Sequence, residues 1–246
     1  MRFTALVVLA CCALVSRGAA ASARHLRFST AHGPVHVYIP DGYDRARAGT
    51  IVYVHGFFAN VDQAWQRYHL GDQFEASGLD ALFIACEAPT SGDDPVAWPS
   101  LADLLSAVRE HLGEPLPPGP IVAVGHSGAH LTLKLWLDEP QLDTVVLLDA
   151  LYGEVAEFTA WLEQSDEHRL IDVGGGETRA WTEQLHARFP ESVVLDRVPA
   201  HLERLRSARI VYIRADVDHM DVIEGGVVLP KVLRALRLPR THVPKD

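Results

Sequence analysis

Short apolar runs alternate with segments of helical spacing along most of this chain, and this alternation restricts the fold more than any other feature. Residues 50–54, TIVYV, form a continuous apolar run of the kind found in strands buried on both faces. Strands are also predicted at residues 35–39, 79–85, 121–124, 144–148, 169–173 and 209–214. Helical spacing predicts helices at residues 64–77, 101–112, 127–137, 155–163, 178–188 and 229–236. The alternation therefore favours an α/β fold with a mostly parallel sheet and helices on both faces.

Size and charge narrow the class of protein. The chain has 246 residues, of which 48% are hydrophobic and 22% are charged, and this suits one large domain, predicted over residues 24–246. The formal net charge is −10, from 32 acidic and 22 basic residues. An acidic chain without a cluster of Lys and Arg is a poor binder of nucleic acid and is not attracted to anionic lipid. We therefore predict no nucleic-acid partner.

The first 23 residues have the pattern of a secretory signal peptide. Arg2 supplies a positive charge, residues 3–15 are almost wholly apolar, and Ala21-Ser22-Ala23 resembles a cleavage site. The apolar run is shorter than the roughly 20 residues that span a membrane comfortably. We expect cleavage after Ala23, no stable membrane insertion afterwards, and export to the periplasm or the medium. Lipoprotein cleavage before Cys11 and an uncleaved anchor are less favoured alternatives.

The segment Gly125-His126-Ser127-Gly128-Ala129 has the pattern of a nucleophile elbow. A buried strand precedes it and a helix follows it, which is the context in which a sharp turn lifts a serine hydroxyl above a sheet. Ala129 stands where this pattern usually has a second glycine, and alanine is the smallest alternative. Ser127 is therefore predicted to be a nucleophile; the alternative is an ordinary helix cap.

Together with His55-Gly56 after an early strand and His219 after the last strand, this elbow makes the chain resemble the α/β-hydrolase family over residues 33–237. The resemblance implies a three-layer α/β-hydrolase fold and a serine hydrolase of esterase, lipase or peptidase type. It also implies catalysis through an acyl-enzyme, with Phe57 and Gly128 donating backbone N–H groups to an oxyanion. The alternative interpretation of residues 55–58 is a plain turn, with Phe57 and Phe58 packed in the core.

His219 lies where the family pattern has its general base, and the acid that orients this base is less certain. Asp149 ends a wholly apolar strand, where a carboxylate needs a buried partner, and we favour it. Glu177 follows three glycines and Asp172 lies within a predicted strand, so these two remain alternatives. Sequence reasoning thus predicts a Ser127, His219 and Asp149 triad.

The remaining site residues are predicted from their places at loop ends. They are expected to line a substrate pocket and comprise His55, Gly56, Phe58, His126, Tyr152 and Met220. No cofactor is expected, because the three consecutive glycines do not have the spacing of a dinucleotide fingerprint. No metal is expected either, although acidic residues surround His219.

The short link between the strands at 144–148 and 169–173 has room for one helix, so no large lid and an open site are predicted. We expect an exported serine hydrolase that cleaves small-molecule carboxylic esters. The alternatives are a peptidase or amidase of the same fold, acting on amides, and a catalytically inactive binding protein. The uncertain acid motivates the inactive alternative, and the sequence leaves the oligomeric state open.

Overall fold

A nine-stranded sheet runs through the centre of the computed structural model, which describes residues 22–241. The strands follow the spatial order β1-β2-β4-β3-β5-β6-β7-β9-β8. Their bounds are β1 (Arg24–Thr30), β2 (Gly33–Ile39), β3 (Gly49–Val54), β4 (Ala81–Cys86), β5 (Ile121–His126), β6 (Leu142–Leu148), β7 (Arg169–Gly174), β8 (Val193–Leu195) and β9 (Ile210–Arg214). β1 and β2 form an antiparallel hairpin, and β2 also pairs antiparallel with β4. The other pairs are parallel, as predicted.

Helices cover both faces of the sheet. Their bounds are α1 (Val61–Arg67), α2 (Leu70–Ser77), α3 (Leu101–Leu112), α4 (His130–Trp136), α5 (Val155–Gln164), α6 (Arg179–His186), α7 (Asp221–Glu224) and α8 (Val228–Arg234). The buried side chains of α3, α4, α5 and α6 join one hydrophobic cluster, and those of α1, α2, α7 and α8 join another. The three-layer α/β architecture expected from the sequence is therefore present.

The two clusters explain why the central strands are apolar throughout. In β3, Val52 and Val54 point into the first cluster, whereas Ile51 and Tyr53 point into the second. Successive side chains of a strand lie on opposite faces, so a strand between two helical layers has no face left for water. All six residues of β3 are buried.

Helix boundaries follow the sequence closely where capping residues are present. α3 has the predicted bounds, and the Ser100 hydroxyl accepts a hydrogen bond of 3.1 Å from the Asp103 N–H. The predicted helix at residues 64–77, however, is two helices. His69 has a left-handed backbone with φ of 48° and turns the chain between α1 and α2. The Gln73 side chain donates to the carbonyl of Tyr68 at this break.

Three elements were not predicted from the sequence. β1 is mostly exposed, so it lacks the apolar run by which the other strands were identified. β8 has three residues and lies at the opposite edge of the sheet, and α7 has four residues. Elements this short bury too few side chains to leave a periodic pattern.

The link between β6 and β7 contains one helix, α5, as the sequence predicts. The predicted signal peptide, residues 1–23, lies outside the described residues except for residues 22 and 23. Among residues 22–241, no helix combines the length and the hydrophobicity that a membrane crossing requires.

Asp172 lies in the middle of β7 and is completely buried. Its Oδ2 is 3.5 Å from Nε2 of His186 on α6, which is too long for a well-formed hydrogen bond. Burial raises the pKa of Asp172, and the nearby His186 offsets this only in part. The fold therefore encloses a carboxyl group that favours its neutral form.

Replacing Asp172 by Asn is expected to raise the melting temperature at neutral pH. Because the folded pKa is raised, the stability contributed by the protonated carboxyl is fully present below the ordinary pKa of 3.8 and is lost as the pH rises through the folded pKa. Asparagine has a similar shape and no charge, so the gain should be small near the ordinary pKa of 3.8 and should grow as the pH rises through the folded pKa. Each kcal/mol would raise the melting temperature by about 2–4 °C.

Thermal unfolding across that pH range measures the effect, with Asp138→Asn as a control at an exposed carboxyl on the same sheet domain. A gain that does not vary with pH would contradict this account of Asp172.

Candidate active site

Ser127 lies immediately after β5, in a turn that connects the strand to α4. Its backbone φ is 54°, a left-handed conformation that costs a non-glycine residue energy and is often found at functional sites. Close packing surrounds the turn, because a Cβ on Gly125 would lie 2.5 Å from Cδ1 of Leu133 and 2.8 Å from Cβ of Ala129. Ala129 is fully buried, so the small residues of the motif let α4 approach the sheet.

Ser127, His219 and Asp149 form one hydrogen-bonded chain. Nε2 of His219 lies 2.8 Å from Oγ of Ser127, and Nδ1 lies 2.7 Å from Oδ2 of Asp149. An ionised carboxylate can only accept, so Nδ1 carries the proton and Nε2 is free to accept from the serine hydroxyl. The three residues follow β5, β9 and β6, respectively, at the carboxyl ends of parallel strands.

Asp149 is held as an anion in a buried position. Its Oδ1 accepts from the Gly175 N–H at 3.2 Å and from the Thr178 hydroxyl. Burial alone would raise the pKa of Asp149, but the hydrogen bonds from His219, Thr178 and Gly175 outweigh burial and lower it. Asp149 also has a left-handed φ of 48°, so the turn after β6 is strained like the turn at Ser127.

The two alternative acids lie elsewhere. Glu177 is exposed at the rim of the cavity described below. Asp172 is directed toward His186, in the sheet interior. Of the three carboxylates weighed from the sequence, the structure brings Asp149 against His219.

His126 contacts both the backbone and the ring of His219. Its Nε2 lies 3.1 Å from the backbone carbonyl of His219, and the two rings are 4.8 Å apart. Burial, with a further contribution from His219, lowers the pKa of His126 to about 4. His126 is therefore neutral near neutral pH, and its Nε2–H donates to the carbonyl. This contact fixes the backbone that carries His219.

The loop after β3 touches the Ser127 turn. A Cβ on Gly56 would lie 2.7 Å from Cβ of Ser127 and 3.3 Å from its Oγ, so the loop backbone can approach only because residue 56 is glycine. The ring of Phe57 packs on Gly128. Phe58 has a φ of 64°, and its N–H donates to the Thr90 carbonyl at 2.8 Å.

A buried imidazole and a carboxylate hold this loop, and the carboxylate was not predicted. Nδ1 of His55 donates to the Gly56 carbonyl at 2.8 Å, and its Nε2 lies 2.9 Å from Oε1 of Glu87. Oε2 of Glu87 accepts from the Val61 N–H at 3.3 Å. A sequence signal existed, because Glu87 directly follows β4 and β4 is the parallel neighbour of β3.

A cavity of about 500 Å³ opens above Ser127. Its walls are aromatic and apolar, and its rim is acidic. The lining residues are Phe57, Phe58, Ser127, Gly128, His130, Asp149, Tyr152, Gly176, Glu177, Val217, Asp218 and His219.

Two of the six predicted pocket residues, Phe58 and Tyr152, line this cavity. His55, Gly56 and His126 are buried and lie outside the cavity lining. Met220 lies outside the lining as well and packs against the hydrophobic cluster that α1, α2, α7 and α8 form on one face of the sheet. Burial, together with the charges of Asp149 and Glu177, raises the pKa of Tyr152 to about 12, and so this lining residue is a neutral phenol near neutral pH.

His130 is a cavity residue that sequence reasoning missed. It lies three positions after Ser127, and residues three apart share one face of a helix, so the spacing was an available signal. Across residues 22–241, no group of three or more His, Cys, Asp and Glu side chains is arranged to hold a metal ion.

The sequence model of the alpha/beta hydrolase family matches residues 51–240 of this chain. No curated protein sequence matches the chain significantly. The match includes Ser127, Asp149 and His219, but it starts after the β1–β2 hairpin.

Solved structures share the fold at low sequence identity. A mutant of the feruloyl esterase module from Clostridium thermocellum, complexed with sinapinate, gives a TM-score of 0.58 at 14% identity, with 92% of each chain covered. The fluorophosphonate-binding serine hydrolase F of Staphylococcus aureus gives 0.54 at 12% identity, covering 87% of this chain and 98% of that one. S-formylglutathione hydrolase from the same organism gives 0.52 at 15%, covering 90% and 100%.

Replacing Thr178 by Val is expected to raise the pKa of Asp149. The carboxylate would lose its hydroxyl donor while His219 and Gly175 remain, and a donor to the charged form lowers a carboxyl pKa. Carbon NMR titration of the Asp149 carboxyl measures the shift. Thr159→Val removes a buried hydroxyl on α5 and serves as the control. An unchanged pKa in Thr178→Val would refute the assigned role of this hydrogen bond.

Proposed function

Because the chain belongs to the alpha/beta hydrolase family, we propose that it is a serine hydrolase that cleaves carboxylic esters through an acyl-enzyme. The observation that supports this most directly is the continuous chain from Oγ of Ser127 through His219 to Asp149, with distances of 2.8 Å and 2.7 Å. A cavity of about 500 Å³ gives a small ester access to the serine.

The first step would be attack on the ester carbonyl. A serine hydroxyl is a weak nucleophile at its own pKa and needs a base within hydrogen-bonding distance. In the proposed reaction, Oγ of Ser127 bonds to the carbonyl carbon while its proton moves to Nε2 of His219. Asp149 keeps the proton on Nδ1 and stabilises the imidazolium that forms.

The carbonyl oxygen becomes negatively charged in the tetrahedral intermediate. We propose that the backbone N–H groups of Phe57 and Gly128 bind this oxyanion, and one such donor is typically worth about 2.7–4 kcal/mol in the transition state. The contact of Gly56 with Ser127 supports this role, because it brings the loop within reach of the serine. The hydrogen bond from Nδ1 of His55 to the Gly56 carbonyl, and the hydrogen bond that its Nε2 accepts from the Ala88 N–H, would position the same loop.

Collapse of the intermediate breaks the bond to the leaving alcohol, which takes the proton from His219. Water then attacks the acyl-enzyme, giving its proton to His219. As the second intermediate collapses, the bond from Oγ to the acyl carbon breaks, Ser127 takes the proton back from His219, and the carboxylic acid is released. Esters are preferred to amides in this proposal, because feruloyl esterases and a carboxylesterase occur among the similar structures. The proposed reaction requires no added cofactor.

We also propose that the protein is exported, on the strength of the signal-peptide pattern in residues 1–23. In such a location its substrate would be a small-molecule ester supplied from outside the cytoplasm.

A fluorophosphonate probe is expected to label the purified protein but not Ser127→Ala. His219→Ala should label at least about 100-fold more slowly, because general-base assistance is worth about 10²–10⁴-fold. Mass spectrometry of the labelled peptide measures both. Ser106→Ala, which removes an exposed hydroxyl on α3, should label like the parent.

No labelling of a folded parent would exclude the hydrolase and favour a catalytically inactive binding protein. With labelling established, an ester and an amide of the same acid are compared. Turnover of the amide as fast as the ester would exclude the esterase assignment in favour of an amidase or peptidase.

Expression of the full chain with its N-terminus is expected to yield a product that begins at Arg24 outside the cytoplasm. Ala23→Arg should leave the precursor uncleaved, because signal peptidase sites require small residues. Intact mass and N-terminal sequencing of each cell fraction measure both. A product that retains Met1, or one that begins at Cys11, would contradict cleavage after Ala23.

A further inference from the structure

His130 lines the cavity beside Ser127 but has no part in the proposed bond-making steps. We propose that His130 is a specificity-determining residue, whose Nε2 accepts a hydrogen bond from a neutral hydroxyl group of the ester substrate. This inference rests on the proposed esterase function and adds a substrate class to it: esters that carry a hydroxyl near the scissile bond.

The first step of the inference concerns the proton on the imidazole. Nδ1 of His130 lies 2.8 Å from Oε2 of Glu154, and Lys134 lies 3.3 Å from Oε1 of the same carboxylate. Burial alone would raise the pKa of Glu154, but hydrogen bonds from His130 and Lys134 outweigh burial and lower it to about 2. Glu154 is therefore an acceptor near neutral pH, and Nδ1 of His130 must donate. In the neutral ring, Nε2 is then an acceptor.

The second step concerns the direction of this acceptor. Glu154 is not among the cavity-lining residues, so the Nδ1 edge of the ring faces away from the cavity and the opposite edge faces it. Within residues 22–241, Nδ1 has a protein partner and Nε2 has none. The side chain is 10% exposed. Nε2 is not one of the fully buried polar atoms that lack a partner, so it reaches the cavity space, where a ligand or a water molecule can supply the donor.

The third step concerns the surroundings of Nε2. The ring of Tyr152 lies 5.6 Å from that of His130, and the ring of Phe57 lies 6.4 Å away. These aromatic rings supply apolar contact, and the polar groups beside them are the imidazole of His130, as an acceptor, and the phenol of Tyr152. A site built in this way holds the substrate by burying its carbon skeleton and selects it by one hydrogen bond.

The charge around the cavity determines which donor fits. Glu177 and Asp218 lie at the rim, and the adjoining groove is lined by Asp216 and Asp221 with a single cation among the described residues, Arg179, so the carboxylates outnumber it. These carboxylates repel a substrate carboxylate or phosphate. An ammonium group would have to lose its hydration to reach a histidine that is nine-tenths buried, and this costs far more than desolvating a hydroxyl. A neutral hydroxyl is the donor that satisfies both conditions.

The position of His130 limits where the hydroxyl can lie on the substrate. Ser127 and His130 line the same cavity of about 500 Å³, which is small enough for one substrate to reach both. The hydroxyl therefore lies a few bonds from the carbonyl carbon that Ser127 attacks, on either the acyl or the alcohol side.

Two series of esters test the proposal. One comprises methyl 3-phenylpropanoate with a hydroxyl at each ring position, and the other comprises 2-phenylethyl acetate with the same substitutions. Each hydroxy ester is paired with its methoxy analogue, which has no donor, and with its aminomethyl analogue, which supplies an ammonium. We expect kcat/KM for at least one hydroxy isomer to exceed that of its methoxy analogue by about 10-fold or more, since sites that hydrogen-bond a substrate hydroxyl discriminate strongly.

His130→Phe should reduce this ratio of kcat/KM values to about 1, because the ring is kept and the acceptor is lost. Glu154→Gln should lower the ratio as well, because without the carboxylate the proton of the imidazole is no longer held on Nδ1 and Nε2 is no longer fixed as an acceptor. This variant provides a second test if His130→Phe folds poorly. His168→Phe is the matched control, since His168 stacks on Trp161 away from the cavity, and it should keep the ratio of the parent.

The outcomes separate this inference from the proposed function. If the parent is labelled by the fluorophosphonate but shows no hydroxyl preference, or if His130→Phe keeps the preference, the role of His130 is overturned and the serine hydrolase stands. A larger preference for the ammonium analogue also overturns it. If the folded parent is not labelled, the proposed function fails first.

Discussion

Parallel strand register is the constraint on which the site depends. β5 pairs with β6 so that His126 lies opposite Leu148, and β6 pairs with β7 so that Leu148 lies opposite Val173. Residues that directly follow these strands therefore emerge at one edge of the sheet at almost the same height. Ser127 and Asp149 are the first residues beyond their strands, and this is how residues far apart in the sequence come to share one histidine.

The strand ends also store strain, and the packing around them maintains it. Ser127 and Asp149 both have left-handed backbones, at φ of 54° and 48°. Such conformations cost about 1–3 kcal/mol each and persist only where surrounding contacts fix them. At Asp149 the N–H donates to the Val173 carbonyl at 2.7 Å, and the side chain is held from Gly175 and Thr178. The neighbouring strand β7 and the residues that follow it therefore hold the turn at Asp149 in its left-handed conformation.

The sequence predicted those features that a local pattern encodes. Alternating strands and helices indicated the three-layer fold, and the motif around Ser127 indicated the elbow. The choice among three carboxylates stayed open because it depends on strand register, which no local pattern carries. Glu87 and Glu154 were missed for a related reason: each acts on a histidine through a contact between separate segments. The β1–β2 hairpin escaped prediction because β1 is mostly exposed.

Pairs of one imidazole and one carboxylate recur in this fold with different consequences. Those with a buried or half-buried imidazole include His219–Asp149, His55–Glu87, His130–Glu154 and His186–Asp172. Both His219 and His186 also contact a serine hydroxyl, and what distinguishes these two pairs is the exposure of the imidazole. The ring of His219 is 35% exposed and its second nitrogen meets the Ser127 hydroxyl, so in the proposed reaction its proton has a path to a substrate. His186 is 3% exposed beside a completely buried carboxyl, so its proton has no such path. The same chemical pair therefore fits the proposed reaction at the sheet edge and makes an enclosed contact in the interior, because solvent access differs between the two places.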